Sequence, residues 1–157
     1  MFEADADTQR MIDWAAAAGL PPLDSLPPEA ARAQSAAGTA KTALDLAPVA
    51  KVDNLDIEGP GSSLAVRIYH PKDAPKGPLP IILYYHGGGF VIGSIDTHDS
   101  IPRELANHSS AILVSVDYRL APEHRYPAAV DDAEAAVLWA REHGAAMGGD
   151  PTRLAVA

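Results

Sequence analysis

An apolar segment that runs directly into three consecutive glycines is the most constraining feature of this 157-residue chain. Residues 81–85 are almost continuously apolar, which predicts a strand covered on both faces, and His86 leads from it into Gly87, Gly88 and Gly89. Because glycine has no Cβ atom, the backbone can turn sharply there and bring its amide N–H groups close to a ligand. Amides presented in this way can hold a developing negative charge, so the sequence predicts an oxyanion hole after this strand.

The order of the other predicted elements indicates an α/β fold. Residues 111–116 form a second continuously apolar strand, and the segment 97–107 is long enough for a crossover helix that leads into it. A further helix over 127–142 precedes a short strand at 154–156. Strands that alternate with helices pair in parallel through right-handed crossovers, so we expect a mostly parallel sheet.

Two helices and a hairpin precede this alternation. The spacing of apolar residues and the flanking prolines and glycines predict helices over 8–18 and 28–37. Residues 49–57 and 64–69 alternate apolar with polar positions and flank a Gly-Pro-Gly turn at 59–61. This pattern predicts an antiparallel β-hairpin with one face in water.

Composition narrows the possible partners. With 12 basic and 21 acidic residues the formal net charge is −9, which would repel nucleic acid and an anionic membrane surface. The chain has no cysteine, and no two of its six histidines have the helical i, i+3 or i+4 spacing of a metal site, so we predict no metal site. The acidic N-terminus lacks a basic region followed by an apolar core, and we therefore expect a cytoplasmic protein without a membrane anchor.

Three segments in register are similar to one known family. The motif His-Gly-Gly-Gly-Phe at 86–90, the segment 117–132 and the segment 149–154 resemble the hormone-sensitive-lipase-like (HGGG) family of α/β-hydrolase esterases. The resemblance implies an α/β-hydrolase fold, with a mostly parallel sheet that follows an antiparallel hairpin. It also implies a helical cap segment at 1–45 and the first half of the hydrolase core at 46–157.

The resemblance further implies hydrolysis of small apolar carboxylic esters without a cofactor. In this family the second and third glycines of the motif bind the oxyanion, which makes Gly88 and Gly89 the candidate oxyanion-hole residues. His86 and Gly87 would support them, with His86 organising the loop rather than acting as the general base. The candidate substrate-binding residues are Phe90 and Trp14.

The catalytic triad of such an enzyme cannot be placed in this sequence. The family order is Ser, then Asp or Glu, then His, and the Ser stands in a Gly-x-Ser-x-Gly elbow between a buried strand and a helix. None of the 157 residues forms that motif, and the nearest approach, at 61–65, follows a turn and enters an alternating strand. The resemblance thus implies a chain that stops before the elbow and is inactive alone. A complementary C-terminal half or a second copy of the chain would be its partner.

Charged residues beside the second motif have predicted structural roles. Asp131, Asp132 and Glu134 stand in the first turns of the predicted helix 127–142, where negative charge interacts favourably with the helix dipole. The resemblance implies that Arg119 and Glu123 pair with each other as scaffolding beside the site.

The sequence leaves two other classes of protein open. Residues 87–93 follow a strand and resemble a loosened dinucleotide-binding glycine motif, and Asp117 ends the next strand, where a ribose-binding carboxylate is expected. The hairpin ahead of the glycines is not how such a nucleotide-binding domain begins. The other class is a truncated remnant without activity, in which strand 154–156 would be an open sheet edge.

Overall fold

A computed structural model describes residues 4–42 and 45–157 of the chain. Each predicted helix and strand overlaps an observed one, although α2 continues to Thr42 and β5 already begins at Gly149. No helix within the described residues is long and apolar enough to cross a bilayer. In chain order the elements are α1 (Ala6–Ala17), α2 (Pro28–Thr42), β1 (Lys51–Glu58), β2 (Ser63–His70), β3 (Leu79–Tyr85), α3 (Ser100–Ser109), β4 (Ile112–Val116), α4 (Ala128–His143) and β5 (Gly149–Val156), with short 3-10 helices at Leu23–Ser25 and Gly144–Met147.

The five strands form one mixed sheet in the order β1-β2-β4-β3-β5. β1 and β2 pair as the predicted antiparallel hairpin, and β2 is also antiparallel to β4. β3 lies between β4 and β5 and is parallel to both. The helical crossovers α3 and α4 account for these parallel pairs, because parallel neighbours cannot be joined by a tight turn. The parallel part of the sheet therefore consists of β4, β3 and β5.

The core lies on both faces of the two central strands. Every residue of β4 is buried, and alternate residues face opposite sides of the sheet. On one face α4 packs Ala136 and Ala140 against the strands, and on the other face α3 contributes Ala106. Alanine at these positions lets the helix axes approach the sheet closely. This packing fixes the direction in which the glycine loop leaves β3.

The N-terminal helices contact the rest of the chain unequally. Asp5 caps α1 by accepting hydrogen bonds from the amides of Asp7 and Thr8, yet every described side chain of this helix is exposed. α2 buries Ala31 and sends Arg32 towards the loops that follow β3 and β4. The division into a cap segment at 1–45 and a core at 46–157 stays a prediction.

β5 forms one edge of the sheet in the described part of the chain. It pairs with β3, and Ala157 extends this pairing through hydrogen bonds with Leu83 and Tyr85. Apolar side chains are exposed here, including Val156 on the strand and Val130 on α4.

Candidate active site

The glycine loop leaves the sheet at the carboxyl edge of β3, the edge at which open α/β sheets bind ligands. Gly88 has φ +134° and Gly89 has φ +59°, two conformations that favour glycine. A Cβ atom on Gly88 would lie 2.0 Å from the carbonyl oxygen of Ile92, so the space at this position admits no side chain. The Gly88 carbonyl accepts hydrogen bonds from the amides of Val91 (3.1 Å) and Ile92 (3.0 Å), which close the loop on itself.

The amide N–H groups of Gly88 and Gly89 have no hydrogen-bond partner in the described part of the chain. Both glycines line a cleft of about 450 Å³ whose walls are mainly apolar. Two unpaired donors beside an apolar cleft meet the chemical requirement for an oxyanion hole. The other residues that line it are Tyr85, His86, Gly87, Phe90, Tyr118, Ala129, Val130 and Ala133.

His86 is packed where it can organise the loop. Its side chain is buried, with 3% of the residue exposed, and its ring stacks on Tyr118 at 4.4 Å and on His98 at 5.2 Å between ring centroids. Nδ1 lies 2.8 Å from the carbonyl oxygen of Gly87 and therefore carries the proton, because a carbonyl only accepts. The Tyr118 hydroxyl donates to the His86 carbonyl at 2.6 Å. Gly93 has no room for a Cβ atom, which would lie 2.4 Å from His86 Nδ1.

Phe90 separates two apolar clefts. Its φ is +62°, in the left-handed region that costs a residue with a side chain about 1–2 kcal/mol, and 61% of the residue is exposed. The ring lines the cleft beside Gly88 and also a second cleft of about 350 Å³. A strained backbone that holds an aromatic ring in the open indicates a constraint other than stability. The other residues of the second cleft are Gly89, Arg119, Ala121, His124, Tyr126, Pro127, Ala129 and Val130.

Trp14, the other predicted substrate-binding residue, does not reach these clefts. It lies on α1 with 51% of the residue exposed and lines neither of them. The helical pattern places Trp14 correctly on a helix but carries no information on what that helix contacts.

The ion pairs beside the site differ from those predicted. Arg119 pairs with Asp132, whose carboxylate accepts from Nη2 at 2.8 Å and from the Arg119 amide at 2.9 Å. Glu123 pairs instead with Arg32 of α2, which donates to its two oxygens at 2.9 and 2.7 Å. The predicted Arg119–Glu123 pair is therefore wrong. Asp132 has a structural role beyond the predicted helix-dipole interaction, because its side chain is buried and paired with Arg119.

The nucleotide-binding alternative does not fit this geometry. A dinucleotide site places the pyrophosphate at a helix N-terminus directly after the glycines, whereas α3 begins only at Ser100. Asp117 lines a different cleft, of about 250 Å³, together with Arg67 and Asp96. Across the described residues, no three His, Asp or Glu side chains are grouped closely enough to hold a metal ion.

The packing of His98 against His86 predicts a pH-dependent stability. Burial, and then repulsion from the His86 ring, lowers the pKa of His98 below its ordinary value of 6.5. Since the unfolded chain binds this proton more readily, the contribution of His98 to the free energy of unfolding is fully present above pH 6.5 and is lost as the pH falls through the folded-state pKa. We expect His98→Gln to reduce the loss of stability between about pH 7.5 and about pH 5.5, measured by urea unfolding. His108→Gln, which removes an exposed histidine and its surface ion pair with Glu104, is the control and should change the loss much less.

Comparison with known proteins finds similarity to proteins that are named esterases. A family model of the alpha/beta hydrolase fold matches residues 82–157. Esterase LipI of Mycobacterium tuberculosis is 52% identical over 111 residues, which are 70% of this chain and 35% of that protein. Carboxylesterase NlhH of the same species is 47% identical over 118 residues, 74% of this chain and 37% of that protein. The ester-hydrolase EH1AB1 from the metagenome of Lake Arreo, solved in complex with a derivative of bipyridine phosphonate, matches with a TM-score of 0.89 and 42% identity, over 99% of this chain and 50% of that chain.

The sheet, the glycine loop and these similarities define a protein of the α/β-hydrolase fold. Within that fold, the similarity to LipI and NlhH confirms the predicted resemblance to the hormone-sensitive-lipase-like family. It spans about a third of the length of the two curated relatives and half of the solved structure.

Proposed function

We propose that this chain supplies the oxyanion hole of a carboxylic ester hydrolase, with the amides of Gly88 and Gly89 as its donors. The observation that carries the proposal is the pair of unpaired amides beside an apolar cleft, on a backbone whose positive φ angles favour glycine. The esterase activity named for LipI and NlhH supports the same reaction class.

The chemistry follows from where charge develops during ester hydrolysis. When a nucleophile adds to the acyl carbon, the carbonyl π electrons move to the oxygen, which becomes an anion in the tetrahedral intermediate. Two N–H donors already fixed beside that oxygen need no reorganisation, and each such donor typically contributes about 2.7–4 kcal/mol to lowering the barrier. The apolar walls exclude water and strengthen this interaction. Phe90 would contact the acyl or alcohol part of a small ester.

The nucleophile is not among the 157 residues, which contain no Gly-x-Ser-x-Gly motif. Under this proposal the serine, the acid and the catalytic histidine belong to a segment or chain that completes the sheet beyond β5, where the edge is open. A small apolar ester as substrate, a cytoplasmic location and a complementary partner are parts of the same proposal.

The proposal can be tested by titrating the ¹⁵N-labelled chain with a monoalkyl phosphonate, a tetrahedral anion that mimics the intermediate. We expect the Gly88 and Gly89 amide protons to shift saturably, because they donate to the anionic oxygen. An alcohol with the same alkyl group is the control and should shift only the cleft walls, such as Phe90 and Val130. Equal phosphonate shifts at Gly61, a glycine of the β1–β2 turn, would mean that binding is non-specific and would count against the proposal.

The same preparation should not hydrolyse a short-chain p-nitrophenyl ester above background, since no nucleophile is present. Turnover by the purified chain that is lost in Gly88→Val would show that these residues contain a complete site.

A further inference from the structure

One guanidinium group joins helix α2 to both loops that surround the clefts. Arg32 Nε donates to the carbonyl of Val91 at 2.7 Å, and its Nη2 donates to the carbonyl of Ala121 at 2.8 Å. The same group binds the two carboxylate oxygens of Glu123 at 2.9 and 2.7 Å. Arginine suits this position because its planar fork presents several donors in fixed directions, whereas lysine offers a single flexible point charge.

These contacts act on the residue that directly follows the candidate oxyanion hole. The Phe90 carbonyl accepts a hydrogen bond from the Ala121 amide at 2.8 Å, and Arg32 bridges the next carbonyl, that of Val91, to the carbonyl of Ala121. The two loops are therefore joined once directly and once through the guanidinium. Phe90 holds a left-handed conformation that a side chain disfavours, so it needs such external fixing. Gly89 precedes it, and the direction of the glycine amides depends on it.

The pair with Glu123 serves geometry more than stability. Both side chains are partly exposed, and ion pairs of this kind contribute little to the free energy of unfolding. The hydrogen bond from Arg32 lowers the pKa of Glu123 to about 2, so this carboxylate stays ionised through neutral and mildly acidic pH. A permanently charged partner orients the guanidinium towards the two loop carbonyls.

We propose that Arg32 is a positioning residue for the oxyanion-hole loop. It acts through Phe90 and Val91, and it makes the direction of the Gly88 and Gly89 amides depend on the docking of α2. The inference rests on the proposed function, because it assigns those amides the role of donors to substrate.

Hydrogen exchange in the ¹⁵N-labelled chain tests this role. The amides of Ala121 and Ile92 report on the loop, since they donate to the carbonyls of Phe90 and Gly88. We expect Arg32→Ala to speed their exchange by about tenfold or more and to move the Gly88 amide signal, with no change in β3 and β4. Millimolar guanidinium should restore part of the protection, and equal sodium chloride should not.

Two further variants sharpen the comparison. Arg32→Lys should protect the Ala121 and Ile92 amides little better than Arg32→Ala does, because one ammonium group cannot reach both loop carbonyls and Glu123. Arg10→Ala removes the same charge from exposed α1 and should leave every loop amide unchanged.

The inference is overturned if Ala121 and Ile92 exchange at the original rate in Arg32→Ala. It is also overturned if β3 and β4 lose protection equally and guanidinium rescues nothing, because Arg32 would then stabilise the whole fold. If the phosphonate fails to shift Gly88 and Gly89 in the unaltered chain, the oxyanion-hole proposal fails separately and Arg32 has no donors to position.

Discussion

Replacing Gly88 by alanine is expected to disrupt the glycine loop and to lower the free energy of unfolding by about 3 kcal/mol or more. The added Cβ atom would lie 2.0 Å from the carbonyl oxygen of Ile92 and 2.7 Å from its carbonyl carbon. These are backbone atoms, and the Ile92 amide donates a hydrogen bond to the Gly88 carbonyl. Neither backbone segment can therefore move away without a large loss of free energy. Urea unfolding followed by circular dichroism measures the loss.

The neighbouring glycines provide matched controls. A Cβ atom on Gly87 or Gly89 would meet nothing within 4 Å. Gly87→Ala should therefore change the free energy of unfolding by less than about 0.5 kcal/mol. Gly89→Ala should cost about 1–2 kcal/mol, because Gly89 has a left-handed φ of +59°. Equal stability of all three variants would show that the steric contact with Ile92 does not hold the loop.

The fold could be predicted from the sequence because its signals are local. Continuous apolar runs mark the two central strands, alternation marks the hairpin, and the glycines mark the end of β3. Each signal lies within a few residues of the feature that it predicts.

The charge pairs could not be predicted as easily, because they depend on packing. Arg32 is separated from Glu123 by 91 positions, and nothing near α2 indicates this partner. The burial of Asp132, in contrast, has a signal in the sequence. This residue shares the i, i+4, i+8 stripe of α4 with Ala136 and Ala140, both fully buried, and that stripe predicts an inward-facing side chain rather than a solvated one.

Outside the glycine loop, we expect the largest loss in the free energy of unfolding when Asp132 is replaced. Only 1% of this residue is exposed, and its carboxylate accepts from the amide, Nε and Nη2 of Arg119. Asp132→Ala leaves the Arg119 amide without a partner and the partly buried guanidinium with only the Ala128 carbonyl, at 3.3 Å. Breaking such a pair costs about 3–5 kcal/mol. Asp131→Asn, one residue earlier and exposed, is the control and should cost less than about 0.5 kcal/mol. Similar losses in both variants would contradict a structural role for the buried pair.

A double variant distinguishes the effect of the Arg119–Asp132 pair on stability from its effect on the glycine loop. Replacing both partners with apolar residues, in Arg119→Met with Asp132→Leu, removes the unpaired charge and should recover most of the stability lost in Asp132→Ala. The loop after β4 would still lose the hydrogen bond from the Arg119 amide to Asp132, two residues before the Ala121 amide that holds the Phe90 carbonyl. We therefore expect urea unfolding to show near-normal stability while the amide signals of Gly88 and Gly89 stay displaced. Recovery of both together would mean that the glycine loop depends on overall stability and not on this hydrogen bond.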